Sequence, residues 1–119
     1  MSNINKVLNE LMEIDGAKCA SIVDYESGKM LAESCSGFNM ELAAAGNTEV
    51  VRAKIITLDS LGLAEDIKDI LITLNNQYHI INPPNQIAGI FLYLVLDIEN
   101  SNLALARRRV DQLSNIIKT

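Results

Sequence analysis

Histidine occurs once in this 119-residue chain, at position 79, and cysteine twice, at positions 19 and 35. A single imidazole, with no cluster of Cys, His or carboxylates at ligand spacing, argues against a metal centre. Acid–base chemistry is equally short of parts. Ser21, Ser27, Ser34 and Ser36 stand in no nucleophile elbow or triad spacing and have no histidine base nearby, so no catalytic residue, no cofactor and no enzyme activity are expected. The two cysteines lack a CxxC spacing and no export signal is visible, which favours buried, reduced thiols over a disulfide. They fall on neighbouring expected strands, where one register brings them together and a one-residue slip parts them. The sequence does not fix that register.

Basic residues are also few. Ten Lys and Arg against fifteen Asp and Glu give a formal net charge of −5 and a pI near 4.7, without the clustered basic footprint of a nucleic-acid binder. No apolar run approaches the roughly 20 residues needed to span a bilayer, and no basic segment leads into an apolar stretch with a small-residue cleavage site. The expectation is a cytoplasmic protein that binds no nucleic acid and does not insert in a membrane. Aromatics are scarce at 4%, yet hydrophobic residues reach 49%. An aliphatic core in a single domain over residues 1–119 follows.

The densest apolar stretch runs from Ile67 to Asp97. Two strand-like runs, Ile67 to Leu74 and Gln77 to Asn82, flank Asn75-Asn76, a pair suited to a tight hairpin turn. After the Pro83-Pro84-Asn85 break, Ile87 to Asp97 is apolar at nearly every position and reads as an interior strand covered on both faces.

Upstream, Ile4, Val7, Leu8, Leu11 and Met12 repeat at helical spacing between a Ser2 or Asn3 cap and an Asp15-Gly16 stop. Ala17 to Asp24 and Lys29 to Cys35 form a second hairpin around Tyr25-Glu26-Ser27-Gly28, with Gly28 closing the turn and Asp24 bonding its own backbone in preference to acting as an acid. From Asn39 to Leu61 a long helix is expected, capped by Asn39, aided by Glu41 in its first turn and ended by Gly62. Its apolar residues trace two lines: Ala43, Val50, Ala53 and Leu61, and beside them Ala44, Val51, Ile55 and Leu58. One sheet contact needs only one line. The tract Ala43-Ala44-Ala45-Gly46 either lets a second helix approach or fits tightly on the sheet, Glu49, Arg52 and Lys54 read as the wet side, and Gly46 belongs to no phosphate loop. A last helix, capped by Ser101 or Asn100, repeats Leu103, Ala106, Val110, Leu113 and Ile117. Arg107, Arg108 and Arg109 fan out through ~200° on it as a solvated face, with Asp111 placed to pair with Arg107 or Arg108.

The resulting order α-β-β-α-β-β-β-α predicts an α+β fold: a five-stranded antiparallel sheet with the long helix on one face and the N- and C-terminal helices on the other. This pattern resembles the roadblock (dynein light chain) family, including its bacterial MglB-like members, over essentially the whole chain. The residues carrying the likeness are Asp15-Gly16-Ala17, VDYESGKMLA from Val23 to Ala32, ILITLNNQYHIINP from Ile70 to Pro83, and the final ALARRRVDQL helix. The resemblance implies a homodimer, or a heterodimer with a roadblock-like paralogue, in which third strands pair edge to edge and second helices lie side by side. The interface would use Ile67, Ile70, Leu71, Ile72, Thr73 and Leu74 on the strand, with Ala44, Val51 and Ile55 on the helix. A long apolar edge strand guarded only by Lys68 and Asp69 is independently a liability unless paired. The resemblance further implies a non-catalytic regulator or scaffold that binds a small Ras-like GTPase in a GTPase-activating or adaptor role and holds no nucleotide itself. Glu41, Thr48, Glu49 and Arg52 would contact the partner. Two alternatives are a nucleotide-independent structural adaptor and, with less support, a small-molecule sensor built around Tyr78, His79 and Tyr93.

Overall fold

The computed structural model describes residues 2–35, 39–63, 65–83 and 89–118. In chain order the elements are α1 (Ile4–Met12), β1 (Ala17–Asp24), β2 (Met30–Ser34), α2 (Met40–Ser60), β3 (Ile70–Thr73), β4 (Gln77–Asn82), β5 (Ile90–Asp97) and α3 (Leu103–Ile116). The expected α+β order is the one observed. All five strands join one antiparallel sheet in the order β2-β1-β5-β4-β3, so β5 is central and β2 and β3 are the edges.

Alternation along the strands sends side chains to two different layers. Ala20, Ile22, Leu92, Leu94 and Leu96 meet α1 and α3 through Val7, Leu11, Val110 and Leu113. On the opposite face Val23, Ile81, Phe91 and Val95 meet Met40, Ala44 and Val51 of α2. Both faces of β5 are thus covered, as its continuous apolar run requires.

Local signals explain most boundaries. Asn39 Oδ1 accepts from the Leu42 amide and caps α2, and Gly62, at φ +72°, follows its end. Gly16 has a stricter role: at φ +85° its missing side chain leaves room for Ser101, whose Cβ would lie 2.7 Å from an added methyl. There its carbonyl accepts from the Asp97 amide and ties the start of β1 to the end of β5.

Several expectations shift. The cap of α3 is Asn102, whose Oδ1 accepts from Leu105, because Asn100 instead donates to Asp97 across the preceding turn. At α1, Asn3 sits at the cap position without capping. Its side chain bridges the Ile116 carbonyl and the Lys118 amide, pinning the two chain ends together. Strand β3 is shorter than Ile67 to Leu74, since Asp69 turns to α3 and takes a two-pronged hydrogen bond from Arg107 at 2.8 and 2.9 Å. That contact engages Arg107, one of the two partners expected for Asp111, and Arg109 reaches Glu10 on α1. The expected preference for reduced thiols is also corrected: Cys19 and Cys35 are joined in a disulfide. The strand start at Ile87, the Pro84-Asn85 break and Ser36 lie outside the described residues.

Candidate functional site

Helix α2 carries three rows of side chains, set by its 3.6-residue turn. Met40, Ala44, Thr48, Val51 and the half-buried Ile55 face the sheet. Leu42, Gly46, Val50, Ala53 and Thr57 form a second row, directed away from it, in which Leu42 is 70% and Val50 42% exposed. Glu41, Glu49 and Arg52 border this row on one side, with Arg52 paired to Glu49 and stacked 5.8 Å over the Tyr25 ring. Ile56, also well exposed, continues the apolar surface toward the C-terminal end.

This placement bears on three residues of the expected interface, Ala44, Val51 and Ile55. Ala44 and Val51 are buried against the sheet of their own chain and have no surface left for a second subunit, and Ile55 packs in the same layer. Thr48 is 2% exposed and its hydroxyl donates to the Ala44 carbonyl, as short hydroxyl side chains do inside a helix. It therefore has nothing to offer a partner. The exposed apolar row is the line through Val50 and Ala53. Two parallel lines on one helix do not reveal which of them meets the sheet, but the side richer in exposed charge, Glu49 and Arg52, was a usable signal.

Among the described residues strand β3 pairs only with β4, leaving one edge open. Ile70 and Ile72 lean under α2, while Leu71 and Thr73 point to the α3 side, and Leu71 and Leu74 are exposed. Between this edge and α2 runs a shallow, mainly apolar groove of about 580 Å³, bounded by Val50, Ala53 and Thr57 on the helix and by Ile67 and Ile70 beside it. Backbone groups with no strand partner and an uncovered apolar helix row thus border one depression.

The residues of the sensor alternative are not gathered into a pocket. Tyr78 joins the α1/α3 layer, whereas its neighbour His79 faces α2. His79 Nδ1 lies 2.9 Å from the Tyr93 hydroxyl and Nε2 lies 3.0 Å from Gln77 Oε1. A neutral ring satisfies both contacts, with Nε2–H donating to Gln77 and Nδ1 accepting from Tyr93. Burial holds the imidazole below its ordinary pKa of 6.5. Burial also raises the Tyr93 hydroxyl, offset in part by the Asn47 amide close by. Among the described residues that amide nitrogen and the Ser21 hydroxyl on the same face are buried without a partner in full hydrogen-bond geometry. The sheet face under α2 is therefore polar at its centre, a feature that apolar periodicity could not report.

No protein-family profile matches the chain, and no curated protein matches it in sequence. Solved structures do match. A roadblock/LC7 domain from Streptomyces avermitilis superposes with a TM-score of 0.81 at 12% identity, covering 96% of this chain and 93% of that one. MglB of Myxococcus xanthus gives 0.80 at 19% identity over 94% and 89% of the two chains. The gliding protein MglB of Thermus thermophilus gives 0.71 at 17% identity over 94% and 88%. The chain has the roadblock/LC7 fold. No helix among the described residues is long and apolar enough to cross a membrane.

Proposed function

We propose that this chain is a non-catalytic, cytoplasmic regulator or scaffold that dimerises through β3 and the outer row of α2 and presents the paired helices to a small Ras-like GTPase. One observation carries the reading: the open edge of β3 and the exposed apolar row of α2 border the same groove. A second β3, added antiparallel, would satisfy the bare backbone groups and extend the sheet. The second α2 would then cover Leu42, Val50 and Ala53, and Gly46 allows close approach of the two helices. Glu41, Glu49 and Arg52, at the rim of that row, are placed to select a partner by charge.

The likeness to MglB supports this reading, and one MglB is described in a tetrameric arrangement. The resemblance to roadblock proteins, which bind Ras-like GTPases, supplies the partner class. The test is the mass in solution across a concentration series, followed by co-purification with GTPases of the same genome loaded with GTP or GDP. A concentration-dependent dimer that retains one GTPase in one nucleotide state is the expected result. A strict monomer removes the platform, and retention of the partner in both states favours a nucleotide-independent adaptor.

A further inference from the structure

Cys19 lies on β1 and is nearly inaccessible, whereas Cys35 follows the last residue of β2 and is half-buried. Ala20 is paired with Ser34, so the antiparallel register continues to place position 19 opposite position 35, with Cα atoms 4.5 Å apart. That is the close spacing of a non-hydrogen-bonded antiparallel pair. It also falls inside the range of about 4.4–6.8 Å that a disulfide spans without backbone movement. One backbone therefore accommodates both the thiols and the disulfide.

The pair is asymmetric in access and close to a weakly held element. Cys19 is enclosed with Met40 and Ala44 of α2, while Cys35 packs at the border of that cluster, at the end of an edge strand. A small thiol reagent thus reaches Cys35 first. Asn39, four residues after Cys35, caps α2. Over its first two turns the helix buries only Met40 and Ala44 deeply, with Ala45 and Gly46 exposed. Apart from Met40, these small side chains remove little apolar area from water, and glycine within a helix weakens it further.

We propose that Cys19 and Cys35 form a reversible redox latch on the amino-terminal half of α2. The disulfide fixes the end of β2, and the helix start that follows it, against the core. Reduction loosens residues 40–48 and leaves the α1/α3 layer as it is. Closure requires a disulfide co-reactant of the glutathione disulfide class. The Cys35 thiolate attacks one of its sulfurs and expels one glutathione thiolate, giving a mixed disulfide. The Cys19 thiolate then attacks the Cys35 sulfur and expels the second. Two electrons pass to the small disulfide, and the two protons lost by the cysteines are taken up by the two glutathione thiolates. The inference concerns how firmly α2 is held and stands whichever partner the helix meets.

The test equilibrates the purified chain with mixtures of reduced and oxidised glutathione, traps free thiols by alkylation and counts them by mass. Amide hydrogen exchange is then measured on the fully oxidised and fully reduced forms. Expected are a two-electron transition within the glutathione series and exchange at residues 40–48 about tenfold or more faster after reduction, with residues 103–116 unchanged. Cys35→Ser should exchange like the reduced form in either buffer. Its failure to fold leaves the comparison of the two wild-type forms intact. A pair that stays oxidised, or stays reduced, throughout the series overturns the proposal. So does reduction that accelerates both segments equally or neither, which makes the bond a general stabiliser or an idle one.

Discussion

The two faces of the sheet are built on different terms. Against α1 and α3 the sheet sets Ile22, Ile80, Leu92, Leu94 and Leu96, and the helices answer with Leu8, Leu11, Val110 and Leu113, an aliphatic layer with Glu10 and the arginines at its rim. Against α2 it sets Ser21, His79 and Tyr93 among the apolar residues, and the helix answers with Met40, Ala44, Thr48 and Val51. Helices α1 and α3 leave few large apolar side chains outside, mainly Leu105 and Ile116, whereas α2 leaves Leu42, Val50 and Ile56. The first face is the more uniformly aliphatic, so its packing should carry the larger share of stability. The second face mixes Val23, Ile81, Phe91 and Val95 with polar groups, and α2 keeps a further apolar row exposed on its outer side.

The largest stability loss should therefore come from the first face. Leu94 is fully buried in β5 between β1 and β4, and Leu94→Ala should cost about 2–5 kcal/mol through lost transfer energy and the residual cavity. Urea denaturation checks this, and a loss below about 1 kcal/mol would mean that the aliphatic layer collapses around the gap. The second face should respond in association instead. Val50→Asp places a charge in the outer row without touching the core, so unfolding of the monomer should change by no more than about 0.5 kcal/mol. The dimer dissociation constant should rise about tenfold or more, read by sedimentation. A Val50→Asp chain that dimerises as well as the wild type removes that row from the interface.

How far the sequence led depends on which physical signal each feature carries. Strand β1 is legible to the residue, Ala17–Asp24, because a glycine stop and a turn bracket it. The same holds for the start of α2 at its Asn39 cap. Strand β3 is overextended because Ile67 continues the apolar run, while the tertiary Asp69–Arg107 pair that marks its limit joins residues 38 apart in sequence. The two apolar lines of α2 are visible, but periodicity is blind to which faces inward, and the inward one holds Ala44, Val51 and the half-buried Ile55. Meeting of Cys19 and Cys35 depends on register, and the β1–β2 ladder shifts between Ile22 and Val23. Its outcome is set by strand pairing, which neither cysteine's neighbours encode.

A smaller effect should appear at the start of α2. Asn39 supplies a side-chain cap at that end, through the Leu42 amide at 3.1 Å, and Asn39→Ala should cost about 1 kcal/mol. The loss should concentrate in the exchange rates of residues 40–48, because α1 and α3 do not lean on α2. Equal acceleration across α3 would show that the two faces unfold as one unit, with no looser side.

The smallest predicted effect is a pH dependence belonging to the α2 face alone. Burial disfavours the imidazolium form of His79, so its folded pKa lies below the ordinary 6.5. As pH falls the unfolded chain takes up this proton first and binds more protons than the folded one. The sign follows: the stability is fully present above pH 6.5 and is lost as pH falls through 6.5 toward the folded value. Protonation would also turn Nδ1 from an acceptor into a donor, against the Tyr93 hydroxyl that donates to it in the neutral state. His79→Gln removes the titration and keeps a polar side chain on β4. Urea midpoints measured from about pH 7.5 to about pH 5.5 should fall more steeply for the wild type than for this variant, with the carboxylates contributing equally to both. Coincident slopes would show that the polar groups beneath α2 respond to protons no more than the aliphatic face does, and the contrast between the faces would then rest on packing alone.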